Sequence, residues 1–365
     1  MSATSPLLLI GIGTAGSSIA RGVSRAYGDG LRYLLVDTDV VSGQSGSPFL
    51  LLGGDRLSGR GTGGDVVTGR LAAEDSIRLL DDHLEGVRVA VVVTALGGGT
   101  GGGATLETCK HLSEKGIPSV VFATMPFSFE GDERQRSARG IVSMVEDAAS
   151  ATFLLPLDKL IGNADNMDEA LRRAIDTVAS GVTLFWRLVE TPGYIRLDAE
   201  RIRHLIAGAG RGRFATVTAQ GPGRVSEALE KLLGSEILST STNPVRAALC
   251  GVLAGNDLLL TEVGRIADGV KKAFGGVSFD LATVNDEATF SGRISVVVML
   301  FESAGAAENE SKPGSVMSGR RKRAKGVPVQ GAISRGRFKN AQPTIWNGED
   351  LDIPTFIRRN ISIDA

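Results

Sequence analysis

The sequence predicts an α/β fold: a first domain built on a parallel sheet, a long central helix, and a second α/β domain with a mixed sheet. Three observations carry that expectation. Apolar runs recur with amphipathic stretches between them, and the valine-rich run at 87–95 is near-continuous, as a strand buried on both faces should be. Two glycine-rich loops each follow such a run and lead into a helical stretch. After Thr191-Pro192-Gly193 the strict strand–helix alternation gives way to a mixed pattern.

The elements follow in order. Residues 7–10 are a short apolar run, followed by glycines and an amphipathic stretch at 18–27. Residues 33–36 form a second run, ending in Asp37-Thr38-Asp39. The strand at 87–95 leads through a glycine loop into a helix at 106–115, and strands follow at 119–124 and 153–157. Leu171, Ile175, Val178 and Val182, spaced by three and four, mark a long helix at about 167–189. Beyond it, 214–219 and 294–301 read as strands, 225–233 and 260–274 as helices, and 277–281 as a further candidate strand. The domain division is 1–166, 167–190, 191–303, a disordered basic linker at 304–343 and a terminal peptide at 344–365.

Composition narrows the function classes. The chain has 365 residues, 48 of them glycine, and a net charge of −1, so no overall field argues for nucleic acid. No apolar run reaches the ~18 residues of a membrane span. The N-terminus lacks the basic region of a signal peptide, so a cytoplasmic location is expected. Cys109 and Cys250 are too far apart in sequence for a metal motif and read as small buried residues in a reducing compartment. His83, His111 and His204 have no nucleophile to pair with and read as surface or structural residues. Between Ala304 and Asn340 nine Lys or Arg face two Glu. That stretch reads as a solvated tether or as a contact for anionic lipid or nucleic acid.

The chemistry lies in the two glycine loops. Gly11-Ile12-Gly13-Thr14-Ala15-Gly16 fits G-x-G-x-x-G, and Asp37 follows about twenty residues on. Alone, that is a dinucleotide-binding fingerprint, with an oxidoreductase as the corresponding function. The second loop, Gly97-Gly98-Gly99-Thr100-Gly101-Gly102-Gly103, has six glycines in seven residues. One pyrophosphate has no need of two such loops, whereas a triphosphate gripped from two sides could use both. The turn-rich segment 59–65 is placed to close over the outermost phosphate.

These motifs carry a resemblance. The second loop resembles the tubulin/FtsZ signature GGGTG(T/S)G, departing at Gly102, where the family has a hydroxyl residue. The first loop resembles the FtsZ start GVGGxGxNA. Residues Thr124-Met125-Pro126-Phe127-Ser128-Phe129-Glu130-Gly131, with Arg134, are similar to T-x-P-F-x-F-E-G. Residues 351–359 resemble the FtsZ C-terminal peptide LDIPAFLR(R/K). The order of motifs covers the whole chain, which is identified as a divergent member of the bacterial FtsZ family.

The resemblance implies a GTP-binding, GTP-hydrolysing protein that assembles head to tail into protofilaments for cell division, with GDP left after hydrolysis and Mg2+ as a candidate counter-ion. Each hydrolytic site would be shared, one subunit holding the phosphates and the next supplying acidic residues. Phosphate contacts fall on Gly13, Thr14, Ala15, Gly98, Gly99, Thr100 and Gly101, and Glu130 and Arg134 match positions that reach ribose and phosphates. The tail would dock on membrane-tethered division proteins of the FtsA and ZipA kind through Leu351, Ile353, Pro354, Phe356, Ile357 and Arg358, at the division site.

Two departures limit the analogy. The family reads guanine with an asparagine on the central helix, beneath a phenylalanine four residues earlier; those positions here are Ile175 and Leu171. A further family asparagine is Leu157. An unpaired guanine edge against Ile175 costs about 1–3 kcal/mol. Asp176 is the substitute candidate, but it projects about 100° away on the helix and needs a shifted register. The catalytic loop Asn-x-Asp-Phe-Ala-Asp is Arg196-Leu197-Asp198-Ala199-Glu200-Arg201 here. Asp198 survives, Glu200 projects to another side, and Arg201 replaces the second acid. Paired with Asp198, Arg201 would lower its basicity and slow hydrolysis; alternatively the arginines stabilise phosphate charge. The alternative function is an FtsZ-like scaffold that polymerises with little nucleotide turnover. An oxidoreductase leaves the second loop and the tail unexplained.

Overall fold

The computed structural model describes residues 5–43, 46–161, 166–191, 193–239, 243–302, 345–346 and 349–350. Its strands are β1 (Leu7–Ile12), β2 (Tyr33–Asp37), β3 (Phe49–Leu51), β4 (Val89–Ala95), β5 (Ser119–Met125), β6 (Ala151–Pro156), β7 (Gly210–Gln220), β8 (Val245–Ala254), β9 (Ser278–Asn285) and β10 (Arg293–Glu302). The helices are α1 (Gly13–Tyr27), α2 (Gly54–Leu57), α3 (Val66–Ser76), α4 (Gly99–Glu114), α5 (Asp132–Ala148), α6 (Met167–Glu190), α7 (Ala199–Ile206), α8 (Arg224–Leu233), α9 (Glu236–Ser239), α10 (Leu260–Ala273) and α11 (Glu287–Phe290).

The ten strands hydrogen-bond in the order β3-β2-β1-β4-β5-β6-β7-β10-β8-β9. From β3 to β7 every pairing is parallel; β10 is antiparallel to both β7 and β8, and β9 is parallel to β8. Three residue pairs, Ala151 to Gly210, Thr152 to Arg211 and Phe153 to Gly212, carry the sheet across into its mixed part.

Alternation along each strand sends side chains to opposite faces. Leu7, Leu9, Val91, Val93, Phe122 and Phe153 pack on one face with Val178, Val182, Phe185 and Trp186 of α6. That same core includes Leu249 and Leu253 of β8 and Val297 and Met299 of β10, so α6 serves both parts of the sheet. Phe122 stacks on Phe153 at 5.3 Å and meets Phe214 edge-on at 4.8 Å. The opposite face buries Leu8, Ile10, Val92 and Val121 beneath Leu106, Cys109 and Leu112 of α4 and Ile141 and Val145 of α5. Each such fully buried side chain contributes about 1.5–3 kcal/mol relative to exposure.

The structure moves several boundaries. α1 starts at Gly13 and α4 at Gly99, so residues read as loop form first helical turns. β3, α3, α5 and β8 are additions to the elements expected from sequence. Ile345–Trp346 (β11) and Glu349–Asp350 (β12) pair antiparallel. The basic linker core and Leu351, Ile353, Pro354, Phe356, Ile357 and Arg358 of the tail lie outside the described residues.

Candidate functional site

Strands β1 and β4 are neighbours and parallel, so α1 and α4 both begin at the same edge of the sheet. Their N-cap residues, Ile12 and Gly98, make no side-chain cap hydrogen bond, and neither first turn holds an acidic residue. Two sets of helix-terminal N–H groups are thereby left without capping side chains, the arrangement that favours an anion. Gly13, Thr14 and Ala15 from α1 and Gly98, Gly99, Thr100 and Gly101 around the start of α4 line one cleft of about 410 Å³.

The second loop owes its bareness partly to packing. A Cβ on Gly99 would stand 2.4 Å from the Asp65 carbonyl, one on Gly101 2.0 Å from the Ala95 carbonyl, and one on Gly103 2.3 Å from the Val66 carbonyl. These glycines let α4 settle against the start of α3 and the end of β4. Gly102 has no such constraint: its Cβ would meet methyls of Val66 and Ile141 at 3.4 and 3.6 Å, and Gly102 does not line the cleft.

A buried hydroxyl and carboxylate network holds the loops in register. The Thr38 and Thr100 hydroxyls share a 2.7 Å hydrogen bond, tying the end of β2 to α4. Thr94 donates to the Gly101 carbonyl at 3.0 Å and accepts from Thr105 at 3.0 Å. Asp37, only 2% exposed, accepts from the Thr38 N–H at 2.8 Å, Ser42 at 2.6 Å and Thr14 at 3.3 Å. The acid that a dinucleotide site would spend on a ribose is used here to brace the start of α1 and the end of β2.

The turn-rich segment does reach the cleft, through Arg60, Gly61, Thr62, Gly63 and Gly64. Arg60 is a site residue that sequence reasoning passes over; its signal is a lone cation inside a glycine-rich turn. Asp65 ends the segment and caps α3, accepting from the N–H groups of Val67 at 3.1 Å and Thr68 at 3.0 Å. The Thr68 hydroxyl, followed by those two N–H groups, holds the Asp65 carboxyl below its ordinary range. Glu130 and Arg134 also line the cleft; they pair with each other, and Glu130 Oε1 accepts from the Phe127 N–H at 2.8 Å.

The α6 end is apolar, lined by Leu157, Leu171, Ala174 and Ile175. Asp176 is not there. Ile175 lines both this cleft and a neighbouring one, whereas Asp176, one position on, lines only the neighbour, with Ser18, Arg21, Arg25 and Arg172, its carboxylate 3.9 Å from Arg172. Asp176, expected from sequence as a substitute base contact, therefore stands outside the cleft that Ile175 helps to line.

Asp198, Glu200 and Arg201 do not line this cleft. Asp198 caps α7 by accepting the Arg201 N–H at 2.7 Å. The expected side-chain pair between Arg201 and Asp198 is absent: the guanidinium binds Asp280 of β9 instead, at 2.7 and 2.8 Å. That contact raises the Arg201 pKa, and β9 offers a carboxylate that no local spacing reveals. Glu200 pairs with Arg88 at 3.3 Å and with Arg203 at 3.5 Å. Arg88 precedes β4, whereas the cleft lies at the strand's other end, beyond Ala95. Seven strand residues at ~3.3 Å each separate the two groups by roughly 20 Å.

Among the described residues no group of three or more His, Cys, Asp or Glu is placed to hold a metal. No helix among the described residues is long and apolar enough to cross a membrane.

Residues 6–165 match the Tubulin/FtsZ family GTPase domain. Among solved structures, an FtsZ mutant from M. jannaschii aligns with a TM-score of 0.76 at 21% identity, covering 81% of this chain and 91% of that one. An empty FtsZ dimer from M. jannaschii gives 0.75 at 20%, covering 86% and 94%. A GTPγS-bound protofilament of CetZ2 from Haloferax volcanii gives 0.69 at 23%, covering 80% and 92%. At these identities the likeness is one of fold.

Proposed function

We propose that this chain, a member of the tubulin/FtsZ superfamily, binds GTP between its two glycine loops and polymerises head to tail as an FtsZ-like cell-division filament. The observation that carries the proposal is the separation of roughly 20 Å between the phosphate-facing edge of β4 and the Asp198 edge. One chain cannot bring its own Asp198 to its own phosphates. A second copy stacked along the strand direction can.

The residues have distinct tasks. Backbone N–H groups of the first turns of α1 and α4 bind the phosphates, Thr38 and Thr100 keep those turns in register, and Arg60 adds positive charge from the closing segment. In the next subunit Asp198 would orient the attacking water as its single remaining acid. Arg201, held by Asp280, is kept from reaching far toward the phosphates. Hydrolysis is accordingly slow. The tail residues Leu351, Ile353, Pro354, Phe356, Ile357 and Arg358 would bind a membrane-tethered partner at the division site, and the basic stretch would add contact with an anionic surface.

Light scattering and phosphate release with GTP, ATP or no nucleotide test this reading. Filaments that need nucleotide and release phosphate slowly support it; filaments indifferent to nucleotide support instead a scaffold with little turnover, which the Arg201–Asp280 pair favours. Arg201→Asp should raise phosphate release severalfold per filament subunit. An unchanged rate would refute the role assigned to that position.

A further inference from the structure

We infer that the nucleoside end of the cleft does not select guanine, so that the site takes purine nucleoside triphosphates generally, ATP with an affinity close to that for GTP. The inference rests on the nucleotide reading above and concerns what the site accepts beyond the phosphates.

The cleft has one polar end and one apolar end. The polar end is the meeting of α1, α4 and the segment around Arg60; the apolar end is the patch made by Leu157, Leu171, Ala174 and Ile175. With phosphates on the helix N-termini, the base is left to the aliphatic patch. Aliphatic carbon packs on the face or against the edge of any purine without offering a donor or acceptor that would tell one base from another.

Discrimination requires polar groups at the base edge, and the carboxylates in and beside this cleft are engaged or turned elsewhere; Asp39, in the cleft wall, accepts from the Val41 N–H at 2.9 Å. Asp176 faces the neighbouring cleft beside Arg172. Glu130, also in the cleft wall, has one oxygen accepting from the Phe127 N–H and the other paired with Arg134. Asp158, next to Leu157, is occupied by the Ser128 N–H at 3.1 Å and does not line the cleft. Asp37 is spent on Thr38, Ser42 and Thr14. A site that hydrogen-bonds a substrate edge rejects analogues strongly, whereas apolar contact alone discriminates weakly.

The test uses the full chain and calorimetric titration with GTP, ATP and inorganic tripolyphosphate. GTP and ATP should bind with dissociation constants within about threefold of each other, and tripolyphosphate should compete with both. GTP binding 50-fold or more tighter than ATP would overturn the inference and leave the nucleotide reading standing. Failure of both nucleotides to bind would overturn the two together. Ile175→Asp supplies a carboxylate acceptor for the N1–H and N2–H donors that guanine has and adenine lacks. It should raise the GTP-to-ATP preference by about 5- to 150-fold, the range expected when one buried polar partner is gained. Ile175→Ala should leave the preference unchanged. A preference that shifts equally in both variants would show that residue 175 acts through packing alone and would overturn the assignment of this patch as the base-facing wall.

Discussion

At the edge of the sheet where β1 and β4 end, the groups proposed to act are backbone amides; at the other edge, around Arg88, Asp198 and Arg201, they are charged side chains. The first edge is defended by packing. Gly99, Gly101 and Gly103 leave no room for a Cβ, and Asp37, Thr38, Thr94 and Thr100 brace the turns from beneath. The second edge has no comparable protection, because Arg201 is exposed and finds Asp280 on a strand distant in sequence. Binding built from main chain survives sequence change that side-chain chemistry does not. A single substitution at position 201 redirects the second edge, while the first can be damaged only by adding volume or removing a brace.

The largest expected effect therefore comes from adding volume. Gly101→Val forces atoms into the Ala95 carbonyl, 2.0 Å from the ideal Cβ. Overpacking of this kind costs about 1–3 kcal/mol, and the displaced first turn of α4 should lose its anion. Nucleotide binding should fall at least ~100-fold, measured by titration. The thiol of Cys109 on α4, pushed up to about 12 by burial, should turn from inert to reactive toward iodoacetamide near neutral pH. Full nucleotide affinity in this variant would break the contrast between the two edges.

Removing a brace should cost less. Thr100→Val leaves the Thr38 hydroxyl, fully buried, without its 2.7 Å partner. An orphaned buried hydroxyl costs about 1–3 kcal/mol, whereas Thr38→Val with Thr100→Val removes both groups and should recover most of the loss. Denaturant unfolding of the two single variants and the double variant measures the coupling. Additive losses would mean that the pair does not act as a unit.

Much of the first edge was legible in the sequence, and little of the second. The strands at β1, β2, β4, β5 and β6 announce themselves as apolar runs before glycines, and every residue expected at the phosphates lines the cleft. The helix starts were misplaced because Gly13–Gly16 and Gly99–Gly103 read as loop, although the glycines answer to close contacts within and around helices. β8 escaped because Val245–Ala254 is alanine-rich with an arginine at its second position, a composition that suits helix as well as a strand buried on both faces. Asp176 and Arg201 were misjudged for a different reason. The first depends on the rotation of α6, the second on tertiary contact with β9, and local spacing encodes neither partner.

A smaller effect is expected where the closing segment joins α3. Asp65 caps that helix, and hydrogen bonds from the Thr68 hydroxyl and the Thr68 and Val67 N–H groups lower its carboxyl pKa. Because the folded value lies below the unfolded one, about 3.9, the cap is fully present above the unfolded value and is lost as pH falls through the folded one. The Thr68 amide resonance should titrate with a midpoint below ~3.9. A midpoint at or above that value would remove Asp65 as a cap of the segment that carries Arg60.

The smallest effect is expected at Gly102, where the tubulin/FtsZ signature that the loop resembles has a hydroxyl residue. An ideal Cβ there meets the Val66 and Ile141 methyls at 3.4 and 3.6 Å, ordinary contact, and points away from the cleft. Gly102→Ser places a hydroxyl in that apolar crevice within reach of the helix's own carbonyls and adds no donor to the phosphates. Helix propensity favours serine over glycine by a few tenths of a kcal/mol, offsetting part of the cost of desolvating the hydroxyl. Nucleotide affinity should change by less than about twofold, a few tenths of a kcal/mol, and unfolding midpoints should shift little. If the serine instead tightened nucleotide binding tenfold, side chains would contribute to the first edge as they do to the second. The claim that phosphate recognition here is a property of the main chain would then fail at its most direct point.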